Sequence, residues 1–145
     1  MSLFSAIDAA GSGLTAERLR MDVISNNLAN VNSTRTVAGG PYRRQVVVFA
    51  PREGEQSFGR VLQKEMGSNA EGVRAVGITE DASPFRTVYE PQHPDADANG
   101  YVRLPNVNVV AEMVDMITAS RAYEANVTSI NTAKNMMAKA LEIGK

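Results

Sequence analysis

The sequence predicts an α+β fold: long N- and C-terminal helices paired as an antiparallel coiled-coil-like hairpin, with a small β-rich middle insert. Three observations carry this expectation. Both ends of the chain repeat apolar residues at spacings of three and four. The middle is broken by Pro and Gly and holds short β-branched runs. The C-terminal pattern, from Asn106 to Ile143, contains neither Pro nor Gly. As one helix it would be on the order of 50 Å long, beyond the ~30 Å width of a small domain. It therefore needs a partner along its length.

The N-terminal helical pattern spans residues 2–32. Leu3, Ile7, Ala10, Leu14, Glu17, Met21, Ile24, Leu28 and Val31 form its seam, and only Glu17 is polar. Gly11 and Gly13 each weaken a helix by roughly 1 kcal/mol relative to Ala, so a bend or frayed turn is expected near them. Gly39-Gly40-Pro41 then signals a turn. Tyr42 to Ala50 reads as a strand, with Val46, Val47, Val48 and Phe49 at its centre and Pro51 closing it. Residues 52–57 read as a charged loop, 58–66 as either a strand or a short helix, and 67–72 as a loop. Val73 to Thr79 and Phe85 to Tyr89 read as strands, and Tyr101 to Leu104 as extended chain between turns.

Pro105 followed by Asn106 or Asn108 marks the start of the C-terminal helix. Its seam is Val109, Met113, Met116, Tyr123, Val127, Ile130, Met137 and Leu141, interrupted by Ser120 and Lys134. Val110, Val114, Ile117, Met136 and Ile143 fall off that seam. Two paired helices would thus leave apolar stripes uncovered, and such stripes mark a partner surface. The domain plan is an N-terminal helix over 1–32, a β-rich insert and linker over 33–105, and a C-terminal helix over 106–145.

Several kinds of chemistry find little support. Charges are mixed along all three segments, and the formal net charge is −1, so a basic nucleic-acid footprint is missing. No cysteine exists for a disulfide, thiolate metal site or thiol nucleophile. Asp95, Asp97, Asn99 and Gly100 match the first half of a calcium loop. The twelfth position, however, is Asn106 rather than Glu, and Pro91 and Pro94 deny the preceding helix. An Asx-type turn is the simpler reading. His93 is the single histidine and lies in a loop, without a nucleophile-elbow pattern for a hydrolase. Glu53 and Glu55 read as solvated charges. The charge-balanced helices lack the basic face of a lipid-binding surface. Neither a catalytic residue, a metal site nor a cofactor is expected. No basic n-region or signal-length apolar core stands at the N-terminus, and no run approaches a membrane span.

The asparagines are unusual. Asn26, Asn27, Asn30 and Asn32 close the first helical pattern, while Asn126, Asn131 and Asn135 lie in the second. Asn is an indifferent helix former. Either these residues occupy a solvated face and a helix cap, or their amides bond across packed helices and set register. The pattern alone leaves both readings open.

The run Ser25-Asn26-Asn27-Leu28-Ala29-Asn30-Val31-Asn32, closing a heptad helix, resembles a signature of the bacterial flagellar basal-body rod and hook proteins. Further resemblance lies in Gly39-Gly40-Pro41-Tyr42-Arg43-Arg44, in Val88-Tyr89-Glu90-Pro91 and in the stretch from Asp95 to Val107. It continues in Ser120-Arg121-Ala122-Tyr123-Glu124-Ala125-Asn126 and Met136-Met137. These are most like the rod members nearest the membrane. Residues 51–83 match only loosely.

The resemblance implies a structural subunit of the periplasmic drive shaft, which transmits torque and houses the export channel. It would assemble with copies of itself and other rod proteins, with the terminal helices inside and the β-rich part outside. It would be exported by the flagellar type III apparatus without signal cleavage. The implied seam holds Ile7, Leu14, Met21, Ile24 and Leu28 against Met113, Met116, Tyr123, Val127, Ile130 and Met137. Asn26, Asn27, Asn30, Ile117, Asn126 and Met136 are the candidate subunit-interface residues. The alternative is a cytoplasmic coiled-coil adaptor or regulatory module.

Overall fold

The computed structural model describes residues 3–37, 39–52 and 72–143. Among the described residues six elements follow in order: α1 (Leu3–Ala29), β1 (Gln45–Pro51), β2 (Val73–Glu80), β3 (Arg86–Tyr89), β4 (Tyr101–Leu104) and α2 (Val109–Ile143). This is an α+β chain with one long helix at each end and two small antiparallel sheets between them. The expectations for 53–71, including the Glu53 and Glu55 pair, lie outside the described residues.

Each helix ends on a local polar signal. Asn30 closes α1: its Nδ2 donates back to the Asn26 carbonyl at 3.0 Å, and its Oδ1 accepts from the Ser33 hydroxyl at 3.1 Å. Asn108 opens α2. Its Oδ1 accepts from the amides of Val110 at 3.0 Å and Ala111 at 3.3 Å, the bonds expected of a helix N-cap. Of the two residues considered for this start, Asn108 is the cap. Asn106 instead clips the strands: its Oδ1 accepts from the Arg44 amide at 2.8 Å, and its Nδ2 donates to the Asp81 and Ser83 carbonyls.

β1 pairs with β2 from Gln45 opposite Glu80 to Pro51 opposite Val73, with a register shift between Val48 and Phe49. β3 pairs with β4 from Arg86 opposite Leu104 to Tyr89 opposite Tyr101. In the β3–β4 connection the Asp97 carboxylate accepts from the amides of Asn99 at 2.8 Å and Tyr101 at 2.9 Å, an Asx turn. Gly100 follows with φ of 80°, a left-handed conformation that Gly adopts without the penalty of a Cβ. A Cβ there would also meet the Tyr89 ring at 2.9 Å.

α1 and α2 pack along each other in opposite directions. Asn27 meets Glu112, Arg20 meets Asp115, and Gly13 lies against Asn126. Apart from Ile24, the buried contact is made by other residues than the heptad seams. Its buried positions are Ala16, Val23, Ile24 and Asn27 on α1, and Glu112, Ala119 and Ala133 on α2. Ser12 is also buried, donating to the Ala9 carbonyl and accepting from the Val73 amide at the first residue of β2. Small residues dominate, and at Gly13 a Cβ would come within 2.8 Å of the Asn126 amide nitrogen. The two backbones approach closely there because no larger side chain separates them.

Three seam expectations need correction. Met113 is 52% exposed, Val109 41% and Leu141 75%. For Met113 the cause is helix rotation: its neighbour Glu112 takes the inward position. For Leu141 the cause is length. From the pairing of Gly13 with Asn126, the start of α1 reaches about as far as Met136, and the last turns of α2 overhang it.

Candidate assembly site

Where the end of α1 meets the start of α2 lies a buried polar junction. Glu112 has no exposed surface and is the largest fully buried side chain among the described residues. Its Oε1 accepts from Arg44 Nε at 2.6 Å, and its Oε2 accepts from Asn27 Nδ2 at 3.0 Å. Asn27 Nδ2 also donates to the Gln45 carbonyl at 2.8 Å. Asn27 Oδ1 accepts from the Gln45 amide at 2.9 Å and from the Tyr42 hydroxyl at 3.0 Å. Arg44 reaches Asp81 and Asp115 at 3.5 Å each. One cluster thus joins α1, the chain entering β1, the end of β2 and α2.

The turn at 36–40 brings these groups together. Gly39 and Gly40 have φ of 87° and 77°, and the Thr36 amide donates to the Gly40 carbonyl at 2.8 Å. The Tyr42 amide donates to the Ser33 carbonyl at 2.9 Å, which lays Tyr42–Gln45 back along the end of α1. The electrostatics follow the geometry. Burial opposes the Arg44 charge, but the hydrogen bond and negative charge of Glu112 outweigh it, so the guanidinium is held above its ordinary range. Burial, then the charges of Glu112 and Glu80, push the Tyr42 phenol up. Hydrogen bonds from Ser83, with help from Arg44, hold the Asp81 carboxyl below its usual value.

The second feature is an apolar face. A helix turns by about 100° per residue. On α1, Ser12 points toward β2 and Gly13 and Asn27 toward α2. By that rotation Ile7, Leu14, Met21 and Leu28 lie on the side away from the β1–β2 sheet, and all four are half-buried. On α2 the same reasoning puts Met116, Tyr123, Val127 and Ile130 on that side, also half-buried, with Met113 beside them. The two seams therefore lie next to each other on one face and do not bury each other fully. Around the outside of α2, Val110, Val114 and Ile117 extend the apolar surface, exposed by 70%, 58% and 53%.

The remaining sequence candidates fall as follows. Ile24 is buried at 5% exposure, Met137 is half-buried, and Met136 is 59% exposed. Asn26 is exposed, Asn30 serves the α1 end, and Asn126 is half-buried against Gly13. Asn27 is corrected as a subunit-interface residue, being 1% exposed with its amide bonded within the chain, but its bond to Glu112 crosses the helix pair, as one of the two readings of the asparagines expects. The sequence reading missed Glu112, Arg44, Tyr42 and Asn106. For Glu112 the available hint was its place as a lone charge in the otherwise apolar run from Val109 to Val114, and for Tyr42 and Arg44 their place in the motif that follows Gly39-Gly40-Pro41.

Outside this region, His93 Nδ1 accepts from the Asp95 amide at 3.1 Å, and Asp95 accepts from the Thr34 hydroxyl at 2.7 Å. Among the described residues no group of three His, Cys, Asp or Glu is arranged to hold a metal, and no helix is long and apolar enough to cross a membrane.

Comparison with known proteins matches both helical ends. Residues 7–35 match the flagella basal body rod protein family, and residues 98–143 match the C-terminal family of the flagellar basal body rod FlgEFG proteins. The paired terminal helices and their uncovered face are thus those of a flagellar rod protein. Flagellar basal-body rod protein FlgC of Borreliella burgdorferi is 54% identical, over 99% of this chain and 98% of that protein. Those of Bacillus subtilis and Salmonella typhimurium are 49% and 42% identical over the full length of both chains. The chain belongs to the FlgC family.

Proposed function

We propose that this chain is a non-enzymatic structural subunit of the flagellar basal-body rod, placed in the proximal, periplasmic part of the shaft that transmits torque and surrounds the export channel. It assembles with copies of itself and with other rod proteins. It reaches that place through the flagellar type III apparatus, without a cleaved signal. The terminal segments, 1–32 and 106–145, which carry α1 and α2, form a coiled-coil-like core domain, and 33–105 is the outward insert.

The observation that carries this reading is the apolar surface running from Ile7, Leu14, Met21 and Leu28 across to Met116 and Tyr123, then out to Val110, Val114 and Ile117. Apolar area of this extent stabilises an assembly at about 25 cal/mol per Å² removed from water. Full-length similarity to FlgC proteins supports the same role.

The test separates folding from assembly. Ile117→Glu and Met136→Glu alter exposed positions. Each should leave far-UV circular dichroism and the unfolding midpoint near the parent, yet remove the subunit from purified basal bodies and abolish swimming. Met116→Glu or Ile130→Glu, within the half-buried seam, should lower the unfolding midpoint as well. Normal rod assembly by both exposed variants would place the interface elsewhere.

A further inference from the structure

By apolar spacing alone the pairing of α1 with α2 is nearly degenerate, and polar contacts at the end where α2 begins break the degeneracy. On α1 the positions facing α2 include Gly13, Arg20 and Asn27; on α2 they include Glu112, Ala119, Asn126 and Ala133. Both sets recur every seven residues. The half-buried seams do likewise: Ile7, Leu14, Met21 and Leu28 against Met116, Tyr123, Ile130 and Met137.

Consider α2 displaced by one heptad, about 10 Å along α1. Gly13 would then face Ala133, a small residue against a small one. Arg20 would face Asn126, and apolar seam residues would again meet apolar ones. The C-terminal overhang of α2 would gain cover. Packing alone therefore discriminates weakly against this slip. The opposite slip would bring Pro105, which precedes the helix, to Asn27 and is not available.

The polar junction does discriminate. In the slipped pairing Ala119 replaces Glu112 beside Asn27. Arg44 Nε and Asn27 Nδ2 lose the carboxylate they hold at 2.6 and 3.0 Å. We propose that Glu112, held by Arg44 and Asn27, is the register lock of the helix pair. It selects one heptad alignment among two that the apolar residues accept, and so decides which seam residues stand side by side on the outer face. A buried ion pair adds little net stability compared with apolar residues of the same volume, yet a single buried polar residue fixes register in coiled coils. This lock stands on the helix geometry and does not depend on the proposed rod function.

The absence of native cysteine permits a direct test in the full chain. Gly13→Cys with Asn126→Cys reports the native alignment, and Gly13→Cys with Ala133→Cys reports the slipped one. Both pairs are oxidised in a glutathione buffer, in the parent and in Arg44→Met/Glu112→Leu. In the parent the native pair should close and the slipped pair should not. In the charge-free background the native-to-slipped ratio should fall by about tenfold or more, while the unfolding midpoint stays close to the parent. An unchanged ratio would overturn the lock. Should the double substitution fail to fold, Glu112→Gln keeps the shape and removes the charge. A smaller fall in the same ratio is expected there, and no fall would again overturn the proposal.

Discussion

Asn27 Nδ2 serves two acceptors and its Oδ1 serves two donors, all from inside the chain. Truncation to Ala would leave the Gln45 amide and the Tyr42 hydroxyl without their acceptor, and Glu112 with one donor fewer. We expect Asn27→Ala to cost about 2–4 kcal/mol in urea unfolding, because buried groups left unpaired carry their full desolvation penalty. Asn26→Ala, one residue away on the exposed face, should change stability by less than about 0.5 kcal/mol. Tyr42 makes a prediction with a sign. Its phenol is held above the ordinary 10.0 by burial and then by Glu112 and Glu80. Its contribution is therefore intact below that value and lost as pH rises through the higher folded one, where the hydroxyl can no longer donate to Asn27. The alkaline fall of the unfolding midpoint should be smaller in Tyr42→Phe than in the parent.

Elements depend on their end signals. Removing the α2 cap with Asn108→Ala should cost about 1 kcal/mol, read as a lower urea midpoint with an unchanged slope. Gly100→Ala should cost about 1–3 kcal/mol by backbone strain and should loosen the Tyr89–Tyr101 ring pair, whose centroids are 5.3 Å apart. The ring contact can be followed by tyrosine side-chain NMR shifts. At this scale much was legible in the sequence. The Pro- and Gly-free run predicts α2, the valine run predicts β1, and Asp97 with Asn99-Gly100 predicts the Asx turn. These features follow from local backbone preferences that each residue brings with it. Helix ends were less well placed. Residues 30–32 read as helix, but the Asn30 amide turns back on Asn26 and ends it.

For the whole molecule, acid should act through the junction and the strand ends beside it. The Asp81 carboxyl is lowered chiefly by hydrogen bonds from Ser83, then by Arg44. Its contribution is present above the ordinary 3.8 and is lost as pH falls through the lower folded value. Asp81→Asn should therefore flatten the acid limb of the midpoint-against-pH curve relative to the parent. The apolar residues by themselves determined that both ends are long helices, that they bury less than they offer, and that the middle is β-rich. Those conclusions rest on periodicity and on area, which any packing of the chain must respect. The candidate site was legible only in outline: Ile117 and Met136 are exposed as their off-seam positions suggested, whereas Met113 is not where the seam placed it and Asn27, named for the subunit interface, is buried against Glu112. The tertiary structure alone decided which flank of each helix faces inward. Small residues at Gly13, Ala16, Ala119 and Ala133 permit a close approach that larger seam residues do not, and the β1–β2 sheet covers one side of α1. It also brought Arg44 to Glu112, across 68 residues of chain, and made a buried carboxylate tolerable. Heptad spacing repeats every seven residues and is blind to such a pairing. Only the fold supplies the cation that makes one alignment different from the next.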